Sequence, residues 1–262
     1  MIVRDTGNGW QIVMQTHHAD LSGQLCRAWG SNGLVAPRPE GPLAVVSVRH
    51  DDGWAVWERA PSLDPETDAP RDFLNVQVLL HLDFYRACIS AITDEDPYAG
   101  LLASMHGAGI YRERYGAQPG LELRFQEDVQ ARVDAFVAEQ EASFPGRITA
   151  LGISDEERWV NYKFLQVFDR LSLYFCMKDL DAGEAGELAP IPVDYDGNEV
   201  TVQMEPRGSW HVRLDPYPFA ESPATFTLER RVLPKTSWES DAEFRADLFD
   251  TETEVTQITV ER

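Results

Sequence analysis

Apolar residues alternate with polar ones near both ends of the chain and recur at helical spacing in between. Ile2-Val3-Arg4 and Trp10-Gln11-Ile12-Val13-Met14 flank the turn chemistry of Asp5-Thr6-Gly7-Asn8-Gly9, which predicts a β-hairpin within residues 1–16. From His17 the period becomes helical, predicting helices over roughly 18–29, 41–51, 72–93, 97–106, 122–143 and 155–179. Ser154-Asp155-Glu156-Glu157 is a capping box at the start of the last of these. The stretch from Ala60 to Pro70 reads as an acidic, proline-rich surface loop.

A run from Asp181 to Glu187, followed by Pro190 and Pro192, reads as a linker or long loop. Beyond it the period falls to two at 199–204, 210–214, 225–232 and 255–260, predicting strands. The expected organisation is an N-terminal hairpin (1–16), a helical domain (17–180) and a β-rich segment (181–262) packed on it. The expected fold class is mainly α, with an added antiparallel sheet built from the C-terminal segment and the hairpin.

Charge narrows the partners. The chain has 262 residues, with 23 Lys and Arg against 44 Asp and Glu, a formal net charge of −21. Such a surface argues against bulk nucleic-acid binding and against docking on anionic lipid, because Lys and Arg carry phosphate binding. Only Lys163, Lys178 and Lys235 are lysines. A high-salt habitat and a GC-rich genome both account for that skew. Cys26, Cys88 and Cys176 are scattered, with no CxxC spacing, which fits buried thiols in a reducing compartment. No secretory signal and no membrane-length apolar run is visible, so a cytoplasmic protein is expected.

The candidate chemistry lies in the helical section. His18 precedes Leu21 and Leu25 on one helical face and so points inward. His50-Asp51 ends an apolar run ahead of Gly53, and His81 falls in line with Leu74, Val78, Tyr85 and Cys88. His106 precedes Gly107-Ala108-Gly109, a helix end. Asp169 stands in Phe164-Leu165-Gln166-Val167-Phe168-Asp169-Arg170-Leu171, a helix apolar nearly all round. A carboxylate buried there needs either a paired arginine from elsewhere in the fold or a bound cation.

The order His18, His50-Asp51, His81, His106, Asp169 resembles the HD superfamily of metal-dependent phosphohydrolases. The resemblance includes His50-Asp51-Asp52-Gly53, similar to that family's His-Asp-x-Gly, and Asp169-Arg170-Leu171, similar to its Asp-x-Leu. It implies an HD-like helical bundle. It also implies a metal set of His18, His50, Asp51 and Asp169, with His81 and His106 added in two-metal members. Trp54 stands where the two-metal cyclic-dinucleotide hydrolases carry lysine, and no Gly-Tyr-Pro follows His106. Across nearly its whole length the chain also resembles a bacterial and archaeal family catalogued as a domain of unknown function, which brings no activity with it.

Imidazole and carboxylate donors suit one or two divalent ions of Fe, Mn, Zn, Co or Ni. The expected activity is hydrolysis of a small phosphorylated molecule by metal-activated water, with Asp51 or a hydroxide bridging the ions and Lys163, Arg112 or Arg49 gripping phosphate. Tyr162 and Gln166 are expected behind the ligands. Asp83 is a candidate base, and Tyr111-Arg112-Glu113-Arg114-Tyr115 reads first as a solvated face and second as a ligand contact. The alternatives are a di-iron oxygenase on the same scaffold and a non-catalytic metal-binding or structural protein. A homo-oligomer stays open.

Overall fold

The structure is a computed structural model that describes residues 1–120 and 123–262. Eight α-helices and seven strands are seen among the described residues: β1 (Ile2–Asp5), β2 (Trp10–Val13), α1 (Gln15–Ala28), α2 (Glu40–Arg49), α3 (Ala55–Glu58), α4 (Val78–Glu95), α5 (Pro97–Gly109), α6 (Glu127–Leu151), α7 (Asp155–Met177), β3 (Gly186–Pro192), β4 (Glu199–Gly208), β5 (His211–Asp215), β6 (Ala224–Leu233), α8 (Asp241–Asp250) and β7 (Glu254–Glu261).

The expectation of a mainly α, HD-like bundle is corrected. About half the chain is helical and about a fifth is strand, in one seven-stranded mixed sheet of order β1-β2-β6-β7-β5-β4-β3. The hairpin joins that sheet through β2 and β6, with Trp10 opposite Leu233. The sheet is not wholly antiparallel, because β5 and β7 pair in parallel. The reason is topological. The chain leaves β6, passes through α8 and inserts β7 between β6 and β5. A strand entering between two antiparallel neighbours must run parallel to one of them.

Helices and sheet share one core. It runs from Ile2 and Val13 through Leu21 and Phe168 to Leu188, Val212 and Val260. Its axis is α7, whose residues are buried nearly all round because α1, α2 and α5 pack on some faces and β3 on another. A second cluster of Met1, Ile12, Met14, Leu233, Phe244 and Leu248 fixes α8 against the hairpin.

Caps set several boundaries. Ser154 accepts from Glu157 N at 3.1 Å, as the capping box requires. Asp96 accepts from Tyr98 N and Ala99 N at 2.8 Å ahead of Pro97, which opens α5. Residues 72–77 are not the first turns of α4. Asp72 accepts from Val3 N at 2.8 Å and Leu74 N at 2.9 Å, which ties this segment to β1. The predicted helix start at residue 122 lies outside the described residues. α8 and β3 fall outside the predicted elements, although Ser240-Asp241-Ala242-Glu243 is a capping box and Ser240 accepts from Glu243 N at 3.2 Å.

Candidate metal centre

Four residues from three segments meet beside α7. α1 supplies His18, the C-terminal end of α2 supplies His50 with Asp51 next to it, and α7 supplies Asp169. His18 Nε2 lies 3.3 Å from His50 Nε2, 3.5 Å from Asp51 Oδ2 and 3.3 Å from Asp169 Oδ1. His50 Nε2 lies 3.7 Å from Asp51 Oδ2 and 3.6 Å from Asp169 Oδ1. A direct N–H···O bond centres on about 2.9 Å. Donors arranged tetrahedrally about an ion at about 2.1 Å stand about 3.4 Å apart. The observed spacings match the second geometry.

The far side of each ring is tied down, as metal-binding histidines usually are. His50 Nδ1 donates to the Ser47 carbonyl at 3.0 Å. His18 Nδ1 meets Ser172 Oγ, which lies 2.8 Å from Ser22 Oγ and 3.0 Å from the Asp169 carbonyl. Both Nε2 atoms therefore face the two carboxylates.

The outer carboxylate oxygens have other partners. Tyr85 Oη donates to Asp51 Oδ1 at 2.9 Å, and Arg114 Nη1 donates to Asp169 Oδ2. The same Nη1 donates to Gln166 Oε1 at 2.6 Å, while Gln166 Nε2 faces His106 Nδ1 at 3.2 Å. Asp169 is thus arginine-paired through one oxygen, as one of its two sequence readings expected, and its other oxygen faces the imidazoles of His18 and His50. Gln166 stands behind the cluster as expected. Tyr162 is buried, and its Oη has no hydrogen-bond partner among the described residues.

Asp51 and Asp169 are 5% and 2% exposed, and in the metal-free protein their charges are met by the Arg114 guanidinium and by the His50 imidazolium. Burial opposes charge on His50, yet Asp51 and Asp169 outweigh it and hold its pKa up at about 9. Burial would raise both carboxyls, but His50 and His18 hold Asp51 well below the usual range. Arg114, with His18 and His50, does the same for Asp169. Burial pushes His106 down to about 3 and His81 down to about 4, so both rings stay neutral.

Local sequence explains the approach of these elements. A Cβ on Gly53 would overlap the Phe84 carbonyl, so glycine lets α4 come close enough for Tyr85 to reach Asp51. Trp54 then turns inward and packs on the rings of His81 and Phe84. Arg114 is placed by unusual backbone: Glu113, Arg114 and Tyr115 have φ of 50°, 49° and 50°. Left-handed backbone costs roughly 1–2 kcal/mol per residue. Tyr115 Oη, donating to Glu141 Oε1 at 2.9 Å, helps to fix the turn.

Other predicted residues lie elsewhere. Lys163 pairs with Glu199, Arg112 lies 3.5 Å from Glu141, and Arg49 pairs with Asp52 and Glu95, all outside the cavity above the cluster. Lys163, Arg112 and Arg49, the predicted phosphate-gripping residues, therefore lie away from the cluster, and the arginine that stands at it is Arg114. Asp83 is exposed beside Arg86. His106, His50 and Asp169 form a second donor set, and His81 joins neither set. Its Nδ1 faces Tyr111 Oη at 2.6 Å. The sequence marked Arg114 only as part of a charged run read first as solvated face and second as a ligand contact, whereas Tyr85, four residues after His81, was legible as its neighbour on one helical face.

The cluster floors a cavity of about 930 Å³. Fold and site together define the class: an α+β protein with a buried set of His and Asp donors beneath a large cavity. The chain belongs to the DUF3891 family, described as "Protein of unknown function (DUF3891)", whose model matches residues 1–235. That span holds every residue of the cluster. No curated protein and no solved structure matches the chain. Among the described residues no helix is long and apolar enough to cross a membrane.

Proposed function

We propose that His18, His50, Asp51 and Asp169 hold a divalent transition metal and that the protein is a metal-dependent hydrolase of phosphate esters, HD-like in its ligand order. The observation that carries this reading is the set of five donor separations between 3.3 and 3.7 Å. When bound, such an ion supplies Lewis acidity and lowers the pKa of water. The chain's own residues bind and orient. Arg114 offers its guanidinium to phosphate oxygens and is positioned by Gln166. Tyr85 fixes Asp51 by donating to its outer oxygen. His106, neutral and held by Gln166, is the group placed to accept or relay a proton. The free, buried Cys26, Cys88 and Cys176 suit a reducing, cytoplasmic setting.

The test is elemental analysis of protein purified without chelator, with phosphate release measured under added Mn, Co, Zn or Fe. One equivalent of metal, lost in His50→Ala, and metal-dependent release of phosphate are expected. Metal-free protein with no thermal shift on adding any of the four ions overturns the reading.

A further inference from the structure

We propose that the phosphate ester taken by this site carries a long apolar alcohol, so that the ligand is an amphiphile with its anionic head at the His/Asp cluster and its tail along the cavity. This refines, and rests on, the phosphohydrolase reading.

Burial orders the cavity from floor to mouth. His18, Asp51 and Asp169 at its floor are at most 5% exposed, whereas Leu74 and Met177, which also line it, are 68% and 39% exposed. On α7, Asp169, Leu173 and Met177 all line the cavity and recur every four residues on one helical face. At 1.5 Å per residue that rail is about 12 Å long, room for a chain of roughly ten carbons. Val78 lines the wall on α4, seven residues before Tyr85 on the same helical face. The volume of about 930 Å³ lies at the upper end of the roughly 300–1,000 Å³ usual for small-molecule sites. It far exceeds what a phosphate group needs.

Unpartnered buried donors stand at the closed end, while Gln77, Gln126, Lys178 and Glu187 line the exposed rim of an otherwise largely apolar wall. Arg114 Nε and Trp54 Nε1 are buried donors on residues that line the cavity, and neither has a hydrogen-bond partner among the described residues. Both suit the oxygens of an anionic head. Along the α7 rail, the hydroxyls of a sugar or nucleoside would meet the side chains of Leu173 and Met177 and lose water there without gaining partners from them. An alkyl chain gains from the same walls. In the reaction, water adds to phosphorus as the bond from phosphorus to the alcohol oxygen breaks. One water proton ends on the released alcohol and the other on phosphate.

The experiment is calorimetric titration with methyl-, butyl-, octyl- and decylphosphonate below micellar concentration. The carbon–phosphorus bond of these probes resists hydrolysis. Affinity is expected to rise about fourfold per methylene until the rail is filled. Met177→Glu, a change at the exposed mouth, is expected to weaken decylphosphonate at least tenfold and leave methylphosphonate unchanged. Leu173→Trp is expected to end the rise at shorter chains. Equal affinity from methyl to decyl overturns the proposal, as does a Met177→Glu protein that keeps the full chain-length dependence. Release of phosphate from methyl and decyl phosphate is followed alongside. A steep binding series in both wild type and His50→Ala, with no phosphate released from either ester, retires the hydrolase reading and leaves the amphiphile site standing. A flat series beside phosphate release from methyl phosphate does the reverse.

Discussion

Asp169 divides its carboxylate between two kinds of partner: Oδ2 accepts from the Arg114 guanidinium, and Oδ1 stands 3.3 Å from His18 Nε2. One oxygen is neutralised by a fixed cation, while the other is kept with Asp51 among imidazoles at metal-ligand spacing.

That division predicts different responses to two substitutions. Asp169→Asn strands a buried guanidinium and removes a donor. It is expected to cost roughly 3–5 kcal/mol in metal-free protein, with no recovery on adding metal. Arg114→Gln leaves the donors intact, so added Mn or Zn is expected to restore its melting temperature while phosphate affinity falls roughly ten- to hundredfold. Melting curves with and without metal check both. Equal recovery of the two variants would count against the assignment.

Metal-free protein is expected to be most stable near pH 6.5. The His50 pKa is raised from 6.5 to about 9, so its contribution is complete below 6.5 and is lost as pH rises through 9. Those of His106 and His81 are lowered from 6.5 to about 3 and about 4, so the unfolded chain takes up their protons first and stability falls as pH drops below 6.5. Chelator-treated protein melted across pH 4–9 reads both limbs. His50→Gln should flatten the alkaline limb and His106→Gln should reduce the acidic one.

Gly53→Ala is expected to destabilise the fold by roughly 1–3 kcal/mol, since the added methyl group meets the Phe84 carbonyl rather than a flexible side chain. The shift of α4 should also loosen the bond from Tyr85 to Asp51 and weaken metal binding. Urea unfolding together with metal titration measures the two effects.

Lys163→Ala and Arg112→Ala are expected to change stability by less than about 1 kcal/mol, because both residues form partly exposed pairs. Metal content and turnover should match wild type within twofold. A large loss of turnover in either would place it back in the site.

Elements whose signals fit within a few residues were legible from the chain alone. The hairpin of β1 and β2, the helical section, the Ser154 cap and the inward-facing His18 and Asp169 all follow from period and capping, which are local properties. The order of the six candidate ligands was equally legible. It took the packed fold to show that the sheet shares the helices' core, that β7 enters between β6 and β5, and that β3 forms despite its prolines. The fold also showed which candidates meet. His18 and Asp169 are 151 positions apart, and Arg114 reaches Asp169 from a left-handed turn within a run that looks solvated. Such meetings depend on packing between distant segments, and that free energy leaves no periodic trace along the chain.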